Sequence, residues 1–410
     1  MKGGVSFMDY GIFKDLAIIF VAAKFLGILA RKVKAPQVVG EIIAGLLIGP
    51  TVLGLVDQSS FLNQMAEIGV VLLMFMAGLE TDLKELIKTG PMALLVALAG
   101  VFVPLGGGFL LSSLFHGFDP VGSEEFFRNV FIGVIMTATS VSITVETLRE
   151  LGKLRGKVGT TILSAAIIDD VIGIIVMTFV IGFRDPEQDP LRVVMNTGLF
   201  FAFAFVVGIL CYYLFKYLDK KNPHTRRVPI YGMALCFAFA YVAEEWFGIA
   251  DITGAYIAGI ILCSIKDSKY IAEKMDISTY MVFAPVFFAS IGLKADISGL
   301  NGSMILFSVG FVFVALITKI IGCSLVAKCF RFSFPNSIKV GVGMMTRGEV
   351  ALIVARKGQD VGLLDAVYFA PVILLIVISS IVTPIVLKLL FTKWPAEHGA
   401  DASAAPAEQK

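Results

Sequence analysis

Residues Gly156–Phe183 read GKVGTTILSAAIIDDVIGIIVMTFVIGF, and past the first turn the only charges are Asp169 and Asp170, side by side at the midpoint. A helix that crosses a bilayer needs about 20 predominantly apolar residues, and this stretch supplies them. One ionised carboxylate at the bilayer centre costs at least ~2.5–3.5 kcal/mol on insertion scales. Two adjacent ones are difficult to account for as structure. They are the chemistry expected of a chain that binds a cation, carries a proton, or does both.

The surrounding composition agrees with a membrane setting. The chain has 410 residues, 57% of them hydrophobic, with a mean hydropathy of +0.87, whereas soluble domains run near about 45–50% apolar. The expectation is an all-α polytopic membrane protein. The net charge of +2 gives no sign of nucleic acid as a partner. Cys211, Cys236, Cys263, Cys323 and Cys329 fall in or beside apolar segments without a C-x-x-C, so they read as small apolar residues. No cofactor and no structural zinc are expected. There is no G-x-x-x-x-G-K-[ST] to bind ATP and no T-V-G-Y-G filter. No cleavable signal pattern precedes the first span, and no nucleotide-binding regulatory domain is expected.

Hydropathy predicts about thirteen spans, near 12–30, 36–55, 62–79, 91–115, 126–148, 156–183, 191–218, 228–248, 252–266, 277–293, 303–329, 336–357 and 367–391. Residues 392–410 read as a short disordered cytoplasmic tail. With the N-terminus outside, 23 of the 34 basic residues fall in the inner loops or tail, so the positive-inside rule orients the chain N-out and C-in. A multi-pass protein of the cell (inner) membrane follows.

An internal repeat is visible. Gly40-Glu41-Ile42-Ile43-Ala44-Gly45 resembles Gly254-Ala255-Tyr256-Ile257-Ala258-Gly259, and Gly78-Leu79-Glu80-Thr81-Asp82-Leu83 resembles Gly292-Leu293-Lys294-Ala295-Asp296-Ile297, both at an offset of 214 residues. Two halves at roughly 10–183 and 228–391, joined by a linker helix near 191–218, are predicted. An odd number of spans separates them, so they are inverted. Inverted repeats are the signature of secondary transporters with a site at the midplane.

The span before the aspartates contains Thr137-Ala138-Thr139-Ser140-Val141-Ser142-Ile143-Thr144, a run of hydroxyl and β-branched residues unsuited to a helix interior. Its partner by span order, Gly341-Val342-Gly343-Met344-Met345-Thr346-Arg347-Gly348-Glu349, carries three glycines and two charges. Interrupted helices in matching positions of two halves point to a transport site; the plainer reading is close packing of small residues. Lys319 also lies deep in a span, about ten residues from either end. A buried ammonium must be paired, snorkel or lose its proton, and Asp169 or Asp170 is the natural partner. A purely structural ion pair is the alternative. Arg347 and Glu349 could satisfy each other or a neighbouring carboxylate such as Glu67, in a structural role or a gating one. Glu41 and Lys24 could pair between the first two helices, and Glu146, Glu244 and Glu245 read as solvated at span ends.

The T-A-T-S-V-S-I-T stretch, the I-D-D-V-I-G-I-I segment, the embedded Lys319 and the M-T-R-G-E-V-A-L-I segment together resemble the monovalent cation:proton antiporter-2 family, in particular bacterial NapA-type sodium/proton antiporters. The likeness covers the chain to about residue 391. It implies a thirteen-helix antiporter fold of the NhaA/NapA type, with two crossing broken helices, a dimerisation part, a core ion-transporting part, and a homodimer working by an elevator-like movement. It implies Asp170 as the principal cation and proton site, Asp169 in a salt bridge with Lys319, and Thr139 and Ser140 beside the ion. Sodium would thus sit at Asp170 with Asp169, Thr139 and Ser140. Asp169 stands where related electroneutral exchangers have Asn, which favours electrogenic exchange of protons for sodium or lithium. Such an antiporter serves pH and sodium homeostasis.

A K⁺/H⁺ antiporter would use the same machinery. An organic-anion sodium symporter on the same fold, as in bile acid transport, is disfavoured by the Asp-Asp and Lys set. A channel or an enzyme is disfavoured further, since no filter and no nucleophile–base set is present.

Overall fold

The computed structural model describes residues 11–182, 190–221, 225, 227–294 and 302–395. The tail beyond residue 395 and the sequence 295–297 of the second repeat motif lie outside the described residues. The elements run α1 (Gly11–Lys32), α2 (Gln37–Ile48), α3 (Ser60–Leu79), α4 (Leu83–His116), α5 (Glu124–Thr137), α6 (Val141–Glu150), α7 (Lys157–Gly182) and α8 (Pro190–Lys221). They continue with α9 (Arg227–Tyr241), α10 (Asp251–Leu262), α11 (Ser268–Ser278), α12 (Ala284–Leu293), α13 (Gly302–Cys329), α14 (Phe334–Gly343), α15 (Glu349–Asp360) and α16 (Phe369–Lys393). A π turn, Val242–Trp246, extends α9, and another, Thr279–Phe283, joins α11 to α12. Among the described residues there is no strand.

Among the described residues, nine helical stretches are long and apolar enough to cross a membrane, and α2 and α10 are shorter apolar helices. This is a multi-pass membrane protein. Lipid offers no partner to a bare N–H or C=O, so backbone polar groups at membrane depth must be satisfied within the protein. That constraint explains why every crossing is helical and why the two interruptions, between α5 and α6 and between α14 and α15, are enclosed by other helices.

Two sets of helices can be told apart by what they touch. α4 packs along both α7 and α13, and α13 along α14 and α16; α2 packs on α1 and α12, and α3 on α10 and α12. The repeated glycines explain the second set. A Cβ on Gly45 would collide with the carbonyl of Ala289, and one on Gly259 with the carbonyl of Phe75. Gly259 stands 214 residues after Gly45, and Phe75 stands 214 before Ala289. Gly78 abuts the carbonyl of Tyr256 and Gly292 that of Ile42, with the same spacing again. The repeat is therefore a pair of equivalent backbone-to-backbone crossings, α2 on α12 and α10 on α3. Without a hydrophobic drive between helices in lipid, small residues that admit such close packing hold the interface.

Candidate functional site

The first interruption is confined to Ala138, Thr139 and Ser140. Ala138 (φ −53°, ψ 134°) and Ser140 (φ −97°, ψ 109°) are extended, and helix resumes at Val141. The unwound stretch is thus shorter than the hydroxyl run suggests; Ser142 and Thr144 belong to α6. The second interruption spans Met344–Gly348. The two meet: Ser140 N donates to Thr346 O at 2.8 Å, and Thr144 Oγ1 donates to Gly343 O at 2.9 Å. Gly348 is required by this crossing, because a Cβ there would lie 2.7 Å from Ser140 Oγ. Four helix ends converge in the buried interior, each with backbone groups that no intrahelical bond can satisfy.

Two cations fill the carbonyl ends. Lys319 Nζ, from α13, donates to Thr137 O at 2.9 Å, the last carbonyl of α5, and to Asp169 Oδ1 at 2.8 Å. Arg347 Nη2 donates to Met136 O at 2.8 Å and Ala315 O at 3.1 Å, while Nη1 donates to Met345 O at 3.1 Å and Met344 O at 3.3 Å. Positive charge at helix C-termini is favourable, and hydrogen bonds from charged donors are worth about 1.5–3 kcal/mol each. Both side chains are inaccessible to solvent (0%).

Asp169 is the meeting point on α7. Its Oδ1 takes the lysine, and its Oδ2 accepts from Thr139 Oγ1 at 2.7 Å. Asp170, the next residue, is buried at 6% exposure, and Ser140 at 2%. The structure brings Asp169, Asp170, Thr139, Ser140 and Lys319 to one place, as the sequence expects. Arg347 is a correction. Glu67 is not its partner; among the described residues its guanidinium donates to main-chain carbonyls, which leave no mark in the side-chain pattern of a sequence. Glu67 is exposed and lines a cavity of about 620 Å³ between α3, α12, α15 and α16, with Glu244, Asp251, Lys294 and Arg356 on its wall. The Glu349 side chain lies outside the described residues. Arg347 is further fixed through its backbone: its N–H donates to Ser379 Oγ at 2.9 Å and its carbonyl accepts from Ser380 Oγ at 3.2 Å. Ser379-Ser380 in the apolar α16 was the missed signal.

A second polar cluster gathers at the far end of α6, and it corrects two more expectations. Glu146 is buried rather than solvated and accepts from Tyr280 Oη at 2.6 Å. Glu41 is buried and accepts from Gln37 Nε2 at 2.8 Å, with Lys24 exposed. Beside them Arg149 pairs with Asp276 at 2.7 Å and Glu80 at 3.1 Å. Glu150 caps α2 from outside it, accepting from Gln37 N at 2.7 Å and Val38 N at 3.1 Å. Pro36, the residue at that N-cap, makes no side-chain cap. These bonds tie α6 to α2, α3 and α11.

Comparison with known proteins decides the family. Residues 18–393 match the transmembrane sodium/hydrogen exchanger family. The chain belongs to that family. It is 37% identical over 386 residues to the Na(+)/H(+)-K(+) antiporter GerN of Bacillus cereus, covering 94% of this chain and 97% of that one. It is 35% identical over 382 residues to a Na(+)/H(+) antiporter of Enterococcus hirae, covering 92% and 97%. Among solved structures, the sodium proton antiporter MjNhaP1 of Methanocaldococcus jannaschii superimposes with a TM-score of 0.71 at 18% identity, covering 95% of this chain and 96% of that one. At that identity the likeness is one of fold. A sodium/hydrogen exchanger with two interrupted helices and a buried aspartate pair is what the sequence reading anticipates.

Proposed function

We propose that this sodium/hydrogen exchanger is an electrogenic Na⁺(Li⁺)/H⁺ antiporter, with Asp170 as the principal cation and proton site. The observation that carries the reading is the buried Asp169–Lys319 pair, set with Thr139 and Asp170 where the two interrupted helices meet. A carboxylate can be neutralised by a proton or by a dehydrated cation, but not fully by both. Competition for one charge couples the two flows in opposite directions. Neutralisation also lowers the cost of carrying the site across a low-dielectric barrier. Exchange of two protons for one cation needs two titratable positions, and Asp170 and the Asp169–Lys319 pair are those two.

In this reading the chain crosses the membrane thirteen times: the nine long apolar stretches together with α1, α2, α10 and the α14–α15 pair. The halves α1–α7 and α9–α16 are inverted repeats joined by α8. A core of α4–α7 and α13–α16 moves as an elevator against the remaining helices, and two chains form a homodimer in the inner membrane, N-out and C-in. The equivalent glycine crossings support the repeat, and the separate packing of α4, α7 and α13 supports the core. The cluster at the end of α6 bridges the two parts, so it must open when the core moves. Potassium is the second cation to consider, because the name of the Bacillus cereus relative includes it.

The test is collapse of a pH gradient in proteoliposomes by Na⁺, Li⁺ or K⁺ under a clamped membrane potential. Collapse by Na⁺ and Li⁺ that depends on the potential is the expected result. Response to K⁺ alone moves the assignment to K⁺/H⁺ exchange, and no response to any cation overturns antiport altogether.

A further inference from the structure

Gly100 lies in the middle of α4 and is buried. Glycine inside a helix costs stability relative to alanine, so its presence asks for a reason. Small residues in membrane helices usually admit a neighbouring backbone, and Gly108 on the same helix does this against Gly133. Gly100 abuts something else. A Cβ there would stand 3.0 Å from Asp169 Oδ1, 3.1 Å from Cys323 Sγ and 3.2 Å from Lys319 Nζ. All three nearest atoms belong to the ion pair or to the thiol one turn along α13 from the lysine.

Neither charged atom has room to yield. Lys319 Nζ is fixed between Thr137 O at 2.9 Å and Asp169 Oδ1 at 2.8 Å, and Asp169 Oδ2 is fixed by Thr139 at 2.7 Å. Moving the pair would disturb the end of α5 and the interruption beside it at once. Cys323 is the softer neighbour, held by a weak thiol bond to Val96 O at 3.6 Å. The position 214 residues later, Val314 on α13, carries a full side chain. That position has no such gap, and among the described residues no buried ion pair other than Lys319–Asp169 lies on α13.

We propose that Gly100 is a positioning residue for exchange: its missing side chain leaves the space that sets Lys319 and Asp169 beside Thr139 and Asp170. The proposal rests on the antiport reading. An inactive wild type would sink that reading, whereas an active wild type with an indifferent Gly100→Ala sinks only this one.

The experiment compares wild type, Gly100→Ala and Gly106→Ala in proteoliposomes, with Gly100→Ala also placed in Cys323→Ala and Lys319→Ala backgrounds. The readouts are the apparent KM for Na⁺, the pH of half-maximal exchange, and the shift in melting temperature on adding Na⁺. Gly106 faces open space, so its alanine variant should match wild type. Gly100→Ala should raise the apparent KM about threefold or more and displace the pH profile by about half a unit, because it alters how the site holds its charge. Removing the thiol should restore part of both. In the Lys319→Ala background the added methyl should do nothing further, since residues in contact are the ones that fail to add. A wild-type KM and pH profile in Gly100→Ala, or an undiminished effect without Lys319, overturns the proposal. If Gly100→Ala does not reach the membrane, recovery of insertion in the Lys319→Ala background supports it and continued failure there overturns it.

Discussion

α7 and α16 each run beside a helix interruption, yet they meet it with opposite chemistry. On α7 the residues at the interruption are Asp169 and Asp170, and the bond across is Thr139 Oγ1 to a carboxylate. On α16 they are Ser379 and Ser380, and the bonds go to the backbone N–H and carbonyl of Arg347. Both interruptions need a cation for their orphaned carbonyls, and both have one. The difference lies in what else the cation holds. Lys319 is shared between a helix end and a carboxylate that can change its charge state. Among the described residues, the Arg347 guanidinium donates to main-chain carbonyls. Both helices brace an interruption, but among the described residues the contacts to it are made by a carboxylate on α7 and by hydroxyls on α16.

The comparison is broken most severely at Asp170. Replacing it with Asn keeps the shape and removes the exchangeable charge. Cation-dependent collapse of a pH gradient should fall to background, by about 100-fold or more, as expected when the group that carries the chemistry is lost. Substantial coupled transport in Asp170→Asn would move the site elsewhere. Next in size is Arg347→Ala, which leaves the carbonyls of Met136, Met344 and Met345 without the guanidinium that reaches them. An abandoned buried polar group costs about 1–3 kcal/mol, so several together should cut the yield of folded protein and lower its melting temperature strongly. A stable Arg347→Ala protein with altered pH dependence would instead make the arginine part of the exchange machinery.

Lys319→Ala falls between these extremes. It leaves Asp169 with the Thr139 hydroxyl but without its cation, and breaking a buried pair from one side usually costs about 3–5 kcal/mol. Here the stranded carboxylate can be neutralised by a proton or by the transported cation, so the fold should survive. The expected outcome is transport whose dependence on membrane potential or pH is changed, measured with the potential clamped at different values. An unaltered voltage response and pH profile would reduce the pair to a structural role.

What the sequence disclosed follows from the energetics of the bilayer. A charge within an apolar run is expensive enough to stand out, so Asp169, Asp170, Lys319 and Arg347 were all legible as special. The interruptions were legible because hydroxyls and glycines are poor helix formers at just those places. What pairs with what was less visible. Lys319 and Asp169 could be matched because they are the complementary charges at depth. Arg347 could not, because carbonyls are present at every residue and only the fold shows which helix end points at the guanidinium. Glu146 misled for a related reason: near a span end a carboxylate usually reaches water, and nothing local says that Tyr280 will cover it. Gly100 was hidden among 40 glycines in a class of protein that uses them freely.

The smallest test is also the most discriminating for the α16 half. Ser380→Ala removes one hydroxyl that donates to Arg347 O at 3.2 Å and leaves the guanidinium's own bonds intact. A single neutral hydrogen bond contributes about 0.5–1.5 kcal/mol, so the melting temperature should fall by only a few degrees. If α16 serves only to hold the second interruption, the apparent KM for Na⁺, the pH profile and the voltage response should all match wild type. A shift in any of them would mean that the backbone at Arg347 transmits strain to the carboxylates on α7 through the Ser140–Thr346 bond. The two halves would then share one site rather than divide its labour, and the serines would have to be counted with the aspartates.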